Sequence, residues 1–101
     1  MTFLLMDLLN MPFIYILTNK TNQVLYIGVT NNLTRRLYEH QQKIQDGFSK
    51  QYNLCKLVYC ENCASMVDAI GREKQLKRWH RNWKRNLITK HNPTWKDLLA
   101  S

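Results

Sequence analysis

The sequence predicts an α+β fold: a small three-stranded antiparallel sheet flanked by helices, in the order β-β-α-β-α-α. Three observations carry that expectation. Phe13 to Thr18 and Val24 to Val29 are dense in β-branched and aromatic residues, and polar turn formers, Asn19-Lys20-Thr21-Asn22, join them. A third run of this kind, Leu54 to Glu61, follows later in the chain. Apolar residues recur at helical spacing behind N-cap chemistry after the second and third runs. With 101 residues, the chain suits one domain with a modest core.

The first two strands read as a hairpin with a tyrosine on each arm. With the turn centred on Lys20-Thr21, Tyr15 faces Tyr26, Ile14 faces Ile27 and Ile16 faces Leu25. Alternation then puts Ile14, Ile16, Leu25 and Ile27 on one face, and Tyr15, Tyr26 and Gly28 on the other. Directly opposed residues hold their Cβ atoms about 5 Å apart, so the phenols stand side by side. A packing pair is the plain reading; one wall of a cleft is the functional one.

Thr30-Asn31-Asn32 supplies cap chemistry for a helix over LTRRLYEHQQKI, with Leu33, Leu37, Gln41 and Ile44 inward and Asp46-Gly47 at its end. Arg36 and His40, four apart, are neighbours on one flank of that stripe, while Arg35 points elsewhere. In the third strand Cys55, Leu57 and Tyr59 alternate with Lys56, Val58 and Cys60. Ser65 caps the next helix, with Asp68 in the capping-box position. Beyond it Ala69, Glu73, Leu76, His80, Trp83 and Leu87 recur at steps of three and four. A break around His80 to Asn82 would let two short helices pack back to back. Asn92-Pro93 stops the last helix, and Trp95 and Leu98 return to the core.

Fifteen Lys and Arg against seven Asp and Glu give a net charge of +8 and a pI near 9.7. That balance favours polyanions, nucleic acid first among them. Nothing in the chain reads as a membrane anchor. MTFLLMDLLN is apolar but too short to span a bilayer, has no positive leader and contains Asp7. Residues 1–11 therefore read as a flexible extension of a domain over 12–98, and the compartment as the cytoplasm, with three free thiols. Cys60-Glu61-Asn62-Cys63 has zinc-ligand spacing, but no second such pair completes a zinc site.

Three features could carry chemistry. Between Arg72 and Lys90 there are eight cations and one acid, Glu73, and that acid lies on the apolar stripe. A carboxylate near a core face is costly unless paired or bound to a metal; an ion pair with Lys77 is the alternative to a metal ligand. Mg²⁺ takes one or two protein carboxylates and keeps several waters, so one Glu suffices. Arg36 and His40 follow directly on the Tyr26 strand; an arginine can grip phosphate oxygens and a histidine can exchange a proton with one. Finally Arg72, Lys74, Lys77, Arg78, Arg81, Lys84, Arg85 and Lys90, interleaved with Trp79 and Trp83, form a nearly one-signed surface suited to phosphates.

Taken together, Phe13-Ile14-Tyr15, Tyr26-Ile27-Gly28, Arg36, His40 and the Glu73 of GREKQLK resemble the GIY-YIG endonuclease family, and most closely its small stand-alone YhbQ-like bacterial members. The resemblance covers Pro12 to about Leu98. It implies hydrolysis of a DNA phosphodiester with one divalent ion, Mg²⁺ or Mn²⁺. The catalytic set it assigns is Tyr15, Tyr26, Arg36, His40 and Glu73, with Glu73 on the metal. Arg35, Lys74, Lys77, Arg78, Arg81, Lys84 and Arg85 are the expected nucleic-acid contacts. Phe13 stands where the name motif has glycine, and Val29 where some members carry lysine. Asn82, Asn86 and Asn92 compete for the family's C-terminal asparagine, Asn92 being favoured as an accessory residue. Which tyrosine is the base stays open. The substrate expected is DNA, branched or damaged, as in DNA repair, with a protein partner for targeting. The rival reading is a binding module that kept the scaffold without efficient catalysis.

Overall fold

The computed structural model describes residues 9–42 and 51–99. The chain runs β1 (Leu9–Thr18), β2 (Leu25–Asn32), α1 (Leu33–Gln42), β3 (Lys56–Asn62), α2 (Met66–Arg78) and α3 (Arg81–His91). The strands form one antiparallel sheet in the order β2-β1-β3. The α+β architecture and its element order are those the sequence predicts. β1 takes in residues 9 to 11, ahead of the expected domain start. The expected end of α1 at Asp46-Gly47 lies outside the described residues.

The sheet is covered on both faces. Ile14, Ile16 and Ile27 pack with Val58, Tyr59, Ala69, Leu76, Ile88 and Trp95, beneath α2 and α3. Tyr15 shares the opposite face with Phe13, Leu17, Leu33, Leu37, Leu54 and Leu57, beneath α1. The second tyrosine, Tyr26, is packed against that same cluster.

The hairpin register differs from the expectation. Tyr15 pairs with Gly28, and Tyr26 with Leu17, a slide of two residues. The cause is a longer loop. The Asn19 carboxamide accepts from the amides of Gln23 and Val24 at 2.9 and 3.1 Å, and Thr18 Oγ1 donates to Val24 O at 2.7 Å. These bonds hold Gln23 and Val24 in the turn, and Asn22 adopts the left-handed conformation at φ 61°, which asparagine tolerates. An even slide keeps every side chain on its face, so the tyrosines still share one.

β3 also departs from strict alternation. Ile16 pairs with Tyr59 but Leu17 with Leu57, so Val58 is a bulge residue. Val58 and Tyr59 consequently belong to one core cluster, while Leu57 joins the other. The caps form as expected: Asn32 Oδ1 accepts from Arg35 N, and Ser65 Oγ from Asp68 N, both at 3.1 Å. Helix α2 ends at Arg78, and the phase does not carry past the break. Ala69 and Leu76 are buried, whereas Trp83 is 56% exposed and Ile88 is the buried residue of α3. Trp95 packs back into the core at a left-handed φ of 56°. It is held there by its indole N–H on Thr89 Oγ1 at 2.9 Å and by the Arg85 guanidinium 4.4 Å above its ring.

Candidate active site

Gly28 is the point from which the site is built. A Cβ on it would overlap Tyr15 Cζ and Oη, so the absence of a side chain is what lets the phenol lie across the neighbouring strand. Tyr15 is fully buried. Its Oη accepts from Arg36 Nε at 3.1 Å and lies 3.2 Å from His40 Nε2. Both partners come from α1, where four-residue spacing puts them on the flank that faces the sheet. Tyr26, half-buried, completes the group: its ring lies 6.2 Å from that of Tyr15 and 5.1 Å from His40. The structure thus brings Tyr15, Tyr26, Arg36 and His40 together.

Electrostatics divide the group. Burial pushes the Tyr15 phenol well above the usual tyrosine range, against the pull of the Arg36 hydrogen bond. Desolvation works against the Arg36 charge, but hydrogen bonding and charge interaction with Tyr15, and then with Tyr26, outweigh it and raise its pKa. Arg36 Nη1 also lies 3.7 Å from Glu39, an acid that Arg35 approaches at the same distance. Sequence reasoning passed over Glu39; its place four residues after Arg35 was the available signal.

Two open cavities lie at the ends of β2. One, about 320 Å³, is lined by Thr30, Asn32, Arg35, Arg36, Glu39 and Met66 among others. The other, about 310 Å³, is lined by Leu25, Tyr26, Ile27, Lys77 and Lys84. Met66 and Lys77 come from α2, and Glu73 lies on the stripe between them, seven residues after the one and four before the other. Its carboxylate is 17% exposed and meets Lys77 Nζ at 3.5 Å. Among the described residues no three His, Cys, Asp or Glu side chains are grouped as a metal site.

The remaining cations separate into two kinds. Lys74, Lys77 and Arg78 are exposed on α2, and Arg35 on α1. Arg81 and Arg85 instead reach the hairpin loop, donating to the carbonyls of Gln23 and Asn22. Arg72 is held by Glu61 at 3.1 Å and by Gln75 at 2.6 Å. Asn92 lies away from the cluster: its buried amide donates to the carbonyls of Val58 and Lys96 and accepts from Lys96 N. It satisfies the carbonyl of the bulge residue, a role no spacing in the sequence announces. Cys55, Cys60 and Cys63 are free thiols. No helix among the described residues is long and apolar enough to cross a membrane.

Residues 11–86 match the GIY-YIG catalytic domain family. The chain is 35% identical to a UPF0213 protein of Clostridium perfringens over 78% of its own length and 84% of the relative's. It is 37% identical to a UPF0213 protein of Syntrophus aciditrophicus, over 80% and 92% of the respective chains. No solved structure gives a significant match. A match spanning three quarters of the chain, over the two tyrosine strands, the Arg36–His40 helix and Glu73, leads to one conclusion: the chain belongs to the GIY-YIG family of nuclease catalytic domains.

Proposed function

We propose that the chain is a divalent-metal-dependent endonuclease that hydrolyses DNA phosphodiesters, directed by substrate structure or by a partner protein. The observation that carries the reading is the Tyr15 hydroxyl set between Arg36 Nε and His40 Nε2, beside the open edge of β2. Such a group has no purpose in a core, where a phenylalanine would fill the same space without polar partners.

The donor set suits a hard cation. Glu73 is one partly exposed carboxylate on the stripe of α2 that borders β2, and Mg²⁺ or Mn²⁺ bound there would retain most of its waters. Glu73 would hold the ion, which when bound supplies Lewis-acid stabilisation of phosphate charge. Arg36 keeps Nε on Tyr15, which fixes the guanidinium plane, and it lines one cavity together with Arg35. There it neutralises charge developing on the phosphate. Burial divides the tyrosines. Tyr15, fully buried and with a raised pKa, is a strut that orients Arg36 and His40. Tyr26, half-buried and grouped with Arg36 and His40, is the phenol that meets the attacking water and takes or orients its proton. His40, edge-on to both rings, relays that proton.

The test is a panel of branched, flapped, damaged and single-stranded DNA with Mg²⁺ or Mn²⁺, comparing wild type with Glu73→Ala, Arg36→Ala and Tyr26→Phe. Glu73→Ala abolishes cleavage, and Arg36→Ala lowers kcat by about 10²–10³-fold, the scale for loss of a preorganised electrostatic partner. Equal cleavage by Glu73→Ala refutes the reading. Salt-sensitive binding without metal-dependent cleavage of any substrate would instead make the chain a binding module.

A further inference from the structure

Lys77 belongs to two places at once. Its ammonium lies 3.5 Å from the Glu73 carboxylate, and its side chain lines the cavity beside Tyr26 and Lys84. The charged side chains of that cavity are both cationic, so it attracts an anion rather than a cation. Three nearby arginines lack this freedom: Arg72 is gripped by Glu61 and Gln75, and Arg81 and Arg85 by carbonyls of the hairpin loop. Lys77 is 54% exposed, on a flexible four-carbon stem whose rotamers exchange rapidly.

We infer that Lys77 is shared between Glu73 and the substrate. In the free protein its ammonium neutralises the carboxylate; when a DNA strand lies along β2 it moves to a phosphate in the Tyr26–Lys84 cavity. Substrate binding thereby uncovers Glu73 for a cation. The inference rests on the reading of Glu73 as the cation ligand. Linkage makes the effect reciprocal: a cation on Glu73 displaces the ammonium toward the phosphate cavity and tightens DNA binding. Lys77 acts through Glu73 and is a positioning residue in this scheme.

One substitution then has opposite effects on two ligands. Mn²⁺ binding to the full chain without DNA is measured by electron paramagnetic resonance of the free ion, for wild type, Lys77→Gln, Lys77→Arg and Glu73→Gln. Binding of a short duplex without metal is followed against salt for the same proteins. Lys77→Gln binds Mn²⁺ up to about five-fold more tightly, the range for releasing a partly exposed ion pair. It binds DNA more weakly, with a salt slope smaller by about one. Lys77→Arg, which keeps the charge, behaves as wild type in both assays. Unchanged or weaker Mn²⁺ binding by Lys77→Gln, or unchanged DNA binding, overturns the inference. Mn²⁺ binding that survives Glu73→Gln overturns the reading of Glu73 itself.

Discussion

Replacing Gly28 by alanine adds one methyl group at a position where nothing nearby can yield. The new Cβ would overlap Tyr15 Cζ and Oη. The ring cannot swing aside, because it is fully buried among Phe13, Leu17, Leu33 and Leu37 and tied at its hydroxyl to Arg36 and His40. Alanine alone would favour a strand over glycine by about 0.5–1 kcal/mol. Against this stand overpacking, about 1–3 kcal/mol, and loss of the buried hydroxyl's partners, about 1–3 kcal/mol. The net expectation is a destabilisation of about 1–5 kcal/mol, which for a domain of this size lowers Tm by about 5–25 °C. Urea and thermal unfolding measure it. A double-mutant cycle makes the cause specific: in a Tyr15→Ala background the obstacle is gone, so Gly28→Ala becomes neutral or mildly stabilising. Costs that add to within about 0.5 kcal/mol, as for independent sites, would refute the account.

Alkaline pH should unfold the protein early. Folding keeps Tyr15 and Tyr59 protonated beyond the pH at which an unfolded phenol ionises, so the folded state holds more protons and stability falls as pH rises past about 10. Burial also pushes the Cys60 thiol up to about 11, which starts the decline nearer pH 8.5, the value for a free thiol. Urea titrations from pH 7 to 11 check both, and a flat profile contradicts them. Thiol labelling at pH 8 should modify exposed Cys55 first and half-buried Cys60 more slowly, since burial keeps the Cys60 thiol protonated. Asn92→Ala strands the Val58 carbonyl and the Lys96 groups, and should cost about 1–3 kcal/mol with DNA affinity unaltered; weakened DNA binding at full stability would assign Asn92 a different role.

Local signals were legible where one residue type answers one local demand. Asn32 and Ser65 cap their helices, Leu33 and Leu37 face inward, and Asn92-Pro93 ends α3 just as their chemistry requires. The departures arise where a side chain bonds to backbone that periodicity does not see. Asn19 lengthens the hairpin loop by capturing two amides, which moves Tyr15 from Tyr26 to Gly28. The Val58 bulge is tolerable because Asn92, 34 residues on, meets its carbonyl. Trp83 leaves the apolar stripe because the break after Arg78 resets the helical phase, and Ile88 takes the inward place. For the candidate site, motif spacing identified the Tyr15, Tyr26, Arg36 and His40 group, but not that Tyr15 is sealed within the core. Nor could charge alone separate Arg81 and Arg85, which tie down the loop, from Lys77, which is exposed beside Glu73.

The tail of the described chain has a consequence for the molecule's solubility. Leu98 N donates to Leu57 O at 2.8 Å, and Asp97 Oδ1 accepts from Leu57 N at 3.1 Å, so the segment after α3 occupies the outer side of β3. Unsatisfied strand margins recruit strands from other molecules. The β3 margin is thus covered at Leu57 by the segment after α3, and among the described residues the β2 margin is flanked by the cations Arg35, Arg36, Lys77 and Lys84, where like charge discourages a second copy. Loss of the segment would bare the Leu57 amide and carbonyl on the β3 side, and self-assembly would begin there.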